Sequence, residues 1–162
     1  MPPAHKIHHV LFVCLGNICR SPAAEIIFRK KVADAGRSDD FLIDSAGTIG
    51  DHQGSPPDSR MAQTLRSNGL TVTGQARKIL ARDLQTFDLI VTMDESNLKD
   101  VRRLDPSGEL HAKIRPFVGF CTHHNDPRVP DPYYGGQRGF EHVVELLNDG
   151  CDGILEIFPV KG

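Results

Sequence analysis

The sequence predicts a single α/β domain with an open parallel sheet, because continuous apolar runs alternate with helical patterns. Residues 10–13 and 88–93 form two such runs, and residues 41–46 form a shorter one of the same kind. Runs like these are typical of parallel strands that are buried on both faces. A polar turn and a helical pattern follow each run, which predicts right-handed βαβ crossovers. The 162 residues are enough for one such domain with a sizeable core.

The helices are marked by the residues at their ends. Residues 22–35 repeat apolar side chains at spacings of three and four, with Ser21 as the predicted N-cap, Pro22 in the first turn and Gly36 after the last. Further helices are predicted at about 59–68, closed by Gly69, and after residues 94–98, where Asp94 most simply serves as the cap. A last helix is predicted at about 140–147, and it resumes at 154–158. Residues 106–139 are rich in Pro, Gly, His and Asp, which predicts a long, mostly irregular and functional loop.

The composition excludes several classes of protein. Charged residues make up 25% of the chain and the net charge is −2, so we expect no nucleic-acid partner and no anionic membrane surface. No apolar run approaches the length of a membrane span, and residues 1–8 lack the apolar core of a secretory signal. We therefore expect one domain over residues 1–162, a flexible arm at 1–8, no membrane insertion and a cytoplasmic location. Four cysteines are too few for a disulfide scaffold at this length.

A phosphate-binding loop is predicted where the first strand ends. Five residues separate Cys14 from Arg20, and Ser21 follows directly. This spacing lets the loop curl until both side chains face one bound anion, while backbone N–H groups and the start of the next helix point inward. A helix N-terminus and a neighbouring arginine favour the thiolate, so we predict that Cys14 is a nucleophile.

A nucleophile that attacks a phosphate ester needs a partner that protonates the leaving oxygen. Asp131 is the candidate, because it lies between two prolines and precedes two glycines in the long loop. Fixed φ angles at the prolines stiffen this segment and suit a carboxylate held over a cleft. Tyr133 is predicted to supply an aromatic wall, whereas Tyr134 is expected to be a partly exposed loop residue.

These motifs resemble the low-molecular-weight protein tyrosine phosphatase family. The resemblance rests on Cys14-Leu-Gly-Asn-Ile-Cys-Arg-Ser and Asp131-Pro-Tyr-Tyr-Gly, and it extends in the same order over residues 44–47, 76–77, 87–88 and 93–98. The acid follows the cysteine, whereas it precedes the cysteine in the larger tyrosine phosphatases. The resemblance implies a three-layer α/β/α domain, a four-stranded parallel sheet of flavodoxin-like order 2-1-3-4, and a phosphate loop after the first strand.

The resemblance also implies a two-step hydrolysis of phosphotyrosine. Cys14 attacks phosphorus, Arg20 pairs with two phosphoryl oxygens, and Asp131 protonates the phenolate and later activates water. Ser21 hydrogen-bonds the sulfur of Cys14. The remaining phosphate-binding positions of the loop are Leu15, Gly16, Asn17, Ile18 and Cys19. No metal and no cofactor is required, and the implied partner is a phosphotyrosine-containing protein, for example a tyrosine kinase, bound by a monomer.

Two further roles come with the family. The residue at Asn17 holds the loop in a left-handed conformation and Ser45 supports it; asparagine tolerates that conformation better than most residues. Cys19 matches a second loop cysteine that forms a reversible disulfide with Cys14 under peroxide.

The sequence departs from the family at the rim of the substrate slot. Many members carry an aromatic residue, usually Trp, where this chain has Asp51, next to His52. Loss of a stacking ring costs about 0.5–1.5 kcal/mol beyond area burial, so we predict an altered or weaker substrate preference. A second departure is Gly74, where members often have a histidine that helps to hold the loop asparagine, so bracing here is expected to depend more on Ser45.

Two other functions remain open at this stage. An arsenate reductase on the same scaffold would relay oxidation through further cysteines, but Cys121 and Cys151 are 30 positions apart and are expected to be core or boundary residues. A non-catalytic phosphate-binding module would keep the loop without turnover. The histidines at 123 and 124 are expected to be solvated loop residues rather than metal ligands.

Overall fold

The computed structural model describes residues 6–160 and contains one four-stranded parallel sheet. The strands are β1 (His8–Cys14), β2 (Phe41–Gly47), β3 (Leu89–Thr92) and β4 (Ile114–Pro116), in the order β2-β1-β3-β4. The helices are α1 (Arg20–Asp34), α2 (Ser59–Ser67), α3 (Asp83–Thr86), α4 (Glu95–Arg102) and α5 (Gln137–Glu156). The predicted α/β class and the strand order 2-1-3-4 are confirmed.

Alternation along β1 divides the core between the two faces of the sheet. Val10, Phe12 and Cys14 belong to the cluster that includes α1, α2 and α5, whereas Leu11 and Val13 pack with α3 and α4. Successive side chains of a strand point to opposite faces, so both faces of the central strand are apolar and buried. The same alternation directs the Cys14 side chain toward the α1 side, where the loop that follows it turns into that helix.

The start of α1 differs from the prediction. The helix begins at Arg20 rather than Pro22, and its N-cap is Cys19, which makes no side-chain capping bond. Ser21 is therefore not the cap: its hydroxyl lies 2.9 Å from the sulfur of Cys14. The loop backbone runs directly into the first helical turn, so the N–H groups of Arg20 and Ser21 remain available to an anion, whereas the N–H of Ala23 donates to the carbonyl of Cys19. The predicted stop at Gly36 is confirmed by its φ of 70°.

The last helix is continuous, whereas the sequence predicted an interruption between residues 147 and 154. The two glycines in that interval suit close packing instead of a break. A Cβ built at Gly150 would lie 2.1 Å from the ring of Phe117, and one at Gly153 would lie 2.0 Å from the carbonyl oxygen of Phe120. The missing side chains let the 3₁₀ turn Phe117–Phe120 lie against α5.

Two further expectations are corrected. The segment 106–139 is less irregular than predicted, since it contains β4 and the 3₁₀ turns His111–Lys113, Phe117–Phe120 and Pro132–Tyr134. Residues 1–5 of the predicted arm lie outside the described residues, and His8 is not part of an arm. It begins β1, and its ring packs 5.4 Å from Phe41 and 4.6 Å from Phe158. Within residues 6–160, no helix has both the length and the apolar character that a membrane span requires.

Replacement of Gly150 by alanine should destabilise the protein, although alanine is the better helix former. The gain in helix propensity is at most about 1 kcal/mol, whereas overpacking against a fully buried ring costs about 1–3 kcal/mol. We expect Gly150→Ala to lower the free energy of unfolding in urea. Gly139→Ala in the same helix is the matched control, since its Cβ would meet the nearest atom at 3.8 Å. Equal stabilisation by both substitutions would contradict the packing argument.

Candidate functional site

A cavity of about 270 Å³ opens at the carboxyl end of β1. Ligands in open parallel sheets bind at this edge. The cavity combines a thiol, a guanidinium and a carboxylate with apolar side chains, and its lining residues are Cys14, Leu15, Gly16, Ile18, Cys19, Arg20, Ile49, His52, Asp131 and Tyr133. The three side chains predicted to react with a phosphate ester therefore converge on one cavity.

The backbone of the loop between Cys14 and Arg20 leaves its N–H groups unused. Its carbonyl groups are bound from outside: Thr48 donates to Cys14, Ile49 to Leu15 and Asp58 to Ile18. Within the described part of the chain, no backbone N–H of residues 15–19 donates to another protein group. A row of free amides that ends at a helix N-terminus is a ready anion site.

Asn17 holds the loop in its curled form. Its φ of 57° is the one positive value at a non-glycine residue among residues 6–160. The side-chain amide donates to Ser21 Oγ at 2.8 Å and to Ser45 Oγ at 3.0 Å, and its oxygen accepts the backbone N–H of Arg77 at 3.0 Å. The buried amide therefore ties the loop to α1, to β2 and to the segment before α3.

The sulfur of Cys14 faces the hydroxyl of Ser21 across 2.9 Å, in a buried environment. Asn17 already donates to that hydroxyl oxygen, so the hydroxyl hydrogen can go to the sulfur or to the carbonyl oxygen of Ala46, which is farther away at 3.4 Å. A donor aimed at sulfur stabilises a thiolate more than a thiol. The geometry therefore suits a sulfur that carries negative charge as a nucleophile and as a leaving group.

Arg20 is oriented by two acceptors on neighbouring elements. Its Nη1 donates to Asp94 Oδ2 at 2.7 Å and to the carbonyl oxygen of Val129 at 3.0 Å. The other oxygen of Asp94 accepts the N–H of Asn97 and caps α4. Because both hydrogens of Nη1 are engaged, the Nη2 and Nε edge of the guanidinium remains for a bound oxyanion.

Asp131 lies at the mouth of the cavity, with 38% of its side chain exposed. Its Oδ1 accepts the N–H of Tyr133 at 2.9 Å, and its Oδ2 is 3.8 Å from Arg20 Nη2. One carboxylate oxygen is thus fixed by the backbone while the other faces the position of the anion. A group held in this way can deliver a proton to an oxygen bound next to the guanidinium.

The rim differs from the sequence-based expectation in one residue. Asp51 is exposed and does not line the cavity, because the turn over residues 51–54 directs His52 inward instead. The ring of His52 packs over Gly16, 3.0 Å from where a Cβ would stand. Ile49 also lines the cavity, and the ring of Tyr133 stacks on the guanidinium of Arg60 with 5.1 Å between that group and the ring centroid.

The second loop cysteine is buried, and burial is the main cause that raises the pKa of its thiol well above the ordinary value. The negative charges of Asp58, Cys14 and Asp131 act in the same direction. Cys19 therefore stays a neutral thiol in the same loop as Cys14. Among residues 6–160, no three His, Cys, Asp or Glu side chains are grouped as a metal site would need.

Several contributors to the site were missed or underestimated at the sequence level. Ile49 and the backbone N–H of Arg77 carried no local signal, because their roles depend on how distant segments pack. Asp94 was recognisable as a cap from its place before α4, but its second contact, with Arg20, joins residues 74 positions apart.

Known proteins were compared with this chain. The family model described as low molecular weight phosphotyrosine protein phosphatase matches residues 9–160. The low molecular weight phosphotyrosine protein phosphatase of Gallus gallus is 42% identical over 154 residues, which cover 94% of this chain and 97% of that protein. A crystal structure of a protein tyrosine phosphatase from Entamoeba histolytica superposes with a TM-score of 0.90 at 39% identity, covering 93% of this chain and 96% of that one. A Drosophila arginine phosphatase superposes with a TM-score of 0.85 at 32% identity, covering 94% and 99%.

Replacement of Asp94 by asparagine should weaken binding of inorganic phosphate. Asparagine keeps one side-chain oxygen that can cap α4, but it places an uncharged amide next to Arg20. A hydrogen bond to a charged group contributes about 1.5–3 kcal/mol, so we expect phosphate affinity, measured by calorimetry, to fall about 10- to 100-fold. Asp100→Asn on the same helix, which loses only an exposed pair with Arg103, serves as the control. Unchanged phosphate affinity in Asp94→Asn would contradict this role.

Proposed function

The chain belongs to the low molecular weight phosphotyrosine protein phosphatase family, and we propose that it hydrolyses phosphotyrosine in proteins through a phosphocysteine formed on Cys14. The observation that carries this proposal is the convergence of Cys14, Arg20 and Asp131 on one cavity lined with free backbone amides. Each group occupies a position that one step of such a reaction needs. The assignment of roles below follows from these positions.

In the first step, the thiolate of Cys14 attacks phosphorus, and the bond between phosphorus and the phenolic oxygen breaks. Arg20 and the loop amides bind the non-bridging oxygens, where negative charge is concentrated in the transition state. The protonated carboxyl of Asp131 gives its proton to the departing phenolate. The products are tyrosine and a phosphocysteine, with Asp131 left as a carboxylate.

In the second step, water attacks the phosphocysteine and the S–P bond breaks. Asp131 accepts a proton from that water, which returns it to the carboxylic acid form. The hydroxyl of Ser21, 2.9 Å from sulfur, stabilises the thiolate as it leaves. Inorganic phosphate then dissociates. Leu15, Gly16, Asn17, Ile18 and Cys19 contribute by the shape and the amides of the loop, and Ser45 through its bond to Asn17. No step in this scheme uses a metal or a cofactor.

The cavity walls favour an aryl leaving group over a guanidinium. Leu15, Ile18, Ile49 and Tyr133 present apolar or aromatic surface, and Asp131 is the only carboxylate among the lining residues. Hydrolysis of a phosphoarginine releases a guanidine group, which becomes a cation. A cavity wall with more carboxylates would stabilise that cation better. We therefore assign phosphotyrosine as the substrate, although one structural relative is an arginine phosphatase.

The positions of the remaining cysteines argue against an arsenate reductase. Cys151 is fully buried in α5, and burial raises the pKa of its thiol. Burial and the nearby Asp149 and Asp126 charges raise the pKa of Cys121 to about 12. Neither thiol lines the cavity that contains Cys14: Cys121 contacts the carbonyl oxygen of Leu146, and Cys151 contacts that of Ala24.

The pairing of two thiols in one loop suggests redox control of the enzyme and a reducing location. Peroxide would oxidise the Cys14 thiolate to a sulfenic acid, and the Cys19 thiol would displace water from it to form a disulfide. Activity would then persist only where thiols are kept reduced, which supports a cytoplasmic location. We further propose that the enzyme acts as a monomer on phosphotyrosine proteins, with tyrosine kinases among the candidate substrates.

The catalytic roles are tested by metal-free hydrolysis of p-nitrophenyl phosphate, phosphotyrosine peptide and phosphoarginine peptide. We expect the first two to be hydrolysed, Cys14→Ser to be inactive, and Asp131→Ala to lower kcat/KM for the phosphotyrosine peptide about 10²- to 10⁴-fold. Turnover in Cys14→Ser would refute the phosphocysteine. Preference for phosphoarginine would refute the substrate assignment, and phosphopeptide binding without turnover in the wild type would indicate a docking module.

The proposed disulfide is tested by brief peroxide treatment followed by dithiothreitol. Wild-type activity should be lost and then restored, because the Cys14–Cys19 bond prevents oxidation beyond the sulfenic acid. In Cys19→Ser the loss should be largely irreversible. Cys121→Ser is the control, since that thiol contacts the carbonyl oxygen of Leu146 away from the loop. Equal recovery in Cys19→Ser and wild type would rule out protection by Cys19.

A further inference from the structure

The segment that carries the proposed general acid is tied to α5 by two Asp–His pairs. We call residues 121–131 the acid loop. It contains no helix or strand, so its path depends on its side-chain anchors. One anchor is Asp149, which binds the loop near its start, and the other joins His142 to Asp126. Neither pair touches the cavity.

Asp149 is a buried carboxylate whose hydrogen bonds all go to the acid loop. Only 6% of the residue is exposed. Its Oδ1 accepts the N–H of Thr122 at 2.9 Å and the hydroxyl of the same residue at 3.2 Å. Its Oδ2 accepts the N–H of His123 at 2.9 Å and lies 2.8 Å from Nδ1 of His124. A buried charge with this many bonds fixes the groups that surround it.

The charge of Asp149 persists across the neutral range. Burial alone would raise the pKa of its carboxyl, but the bonds from Thr122, His124 and His123 outweigh that effect and hold the pKa well below the ordinary value. The loop start is therefore anchored by an ionised group at any pH at which the enzyme would work.

The second pair extends the anchor along the loop. His142 on α5 places Nε2 2.7 Å from Asp126 Oδ2, and its ring lies 6.2 Å from the ring of His124 at an angle of 71°. Glu145 also approaches the other nitrogen of His142, at 3.9 Å. Together the two pairs attach residues 122–126 to one helix.

The far end of the acid loop meets the site itself. Val129 is fully buried, its N–H donates to the carbonyl of Met93 at 2.8 Å, and its own carbonyl accepts from Arg20 at 3.0 Å. Asp131 follows two residues later. Between the two ends, Arg128 pairs with Glu95 in an exposed position, where such a pair contributes little. The buried anchor at Asp149 is thus the strongest constraint on the loop before Val129.

We propose that Asp149 is a positioning residue for the reaction: by anchoring the start of the acid loop to α5, it keeps Asp131 in reach of the leaving oxygen. This inference rests on the proposed role of Asp131 as general acid. An asparagine at position 149 keeps the shape of the side chain but loses the charge and one acceptor atom, so the bonds to residues 122–124 cannot all form. A small displacement of an acid is enough to lower the rate of proton transfer.

The test is a double-mutant cycle measured with two substrates that differ in their leaving groups. Wild type, Asp149→Asn, Asp131→Ala and the double variant are compared by kcat/KM, which reports phosphoryl transfer to Cys14 when that step is irreversible. Phenyl phosphate requires a proton at its poor leaving group, whereas p-nitrophenyl phosphate requires it much less. We expect Asp149→Asn to lower kcat/KM about tenfold for phenyl phosphate and much less for p-nitrophenyl phosphate. In the Asp131→Ala background, Asp149→Asn should cause no further loss.

A purely structural role would give a different pattern. The positioning role would be overturned by any one of three results. These are an equal loss of kcat/KM for both substrates, the same loss with and without Asp131, and no loss. Asp152→Asn on the same helix is the control, because it removes only a surface pair with Lys31. If Asp149→Asn does not fold, His142→Ala replaces it in the cycle, since alanine suits that helix position and the buried carboxylate stays intact. A smaller selective loss for phenyl phosphate is then expected, and an unselective one would overturn the proposal.

The proposed function and the positioning role fail in distinguishable ways. If Asp131→Ala keeps the wild-type kcat/KM for phenyl phosphate, the assignment of the acid is wrong, and the positioning role falls with it. If Asp131→Ala is impaired while Asp149→Asn acts equally in both backgrounds, only the positioning role is refuted.

Discussion

The left-handed turn at Asn17 is the constraint on which the site depends. It bends the chain so that the amides between Cys14 and Arg20 face one point, a conformation that costs energy for any residue with a side chain. Three hydrogen bonds of the Asn17 amide offset that cost: it donates to Ser21 on α1 and to Ser45 on β2, and it accepts from the N–H of Arg77 before α3. The anion site therefore forms only when the sheet and its helices are assembled.

A second chain of contacts joins the reactive groups to one another. Asp94, at the end of β3, and Val129, in the acid loop, both hold Nη1 of Arg20. The carboxyl ends of β1 and β3 are adjacent in the sheet, so Asp131 meets Cys14 and Arg20 although it is distant from them in sequence. Electrostatic stabilisation of the transition state requires such preorganised groups. The fold supplies these groups from three places: Cys14 ends β1, Arg20 lies in the first turn of α1, and Asp131 lies in the acid loop.

Local patterns predicted three of the four strands and singled out Cys14, Arg20 and Asp131, because each has a signal within a few residues. The apolar runs located β1 to β3, and the spacing of Cys14 and Arg20 located the loop. Long-range packing decided what the sequence missed. A break was predicted in α5 between residues 147 and 154, but the helix is continuous and Gly150 lets the ring of Phe117 pack against it. The strand β4 was missed because it is only three residues long and lies in a polar segment. Asp51 was expected at the rim together with His52, but of the two only His52 lines the cavity.

In the proposed reaction, the phosphoryl group passes through the sulfur of Cys14. The most direct measurement is rapid acid quenching during turnover of p-nitrophenyl phosphate, followed by peptide mass spectrometry to locate the bound phosphoryl group. We expect a phosphorylated peptide that contains Cys14, with the modification on that residue and none in Cys14→Ser. A phosphorylated histidine or other side chain, or turnover with no covalent intermediate under conditions that trap one, would contradict it.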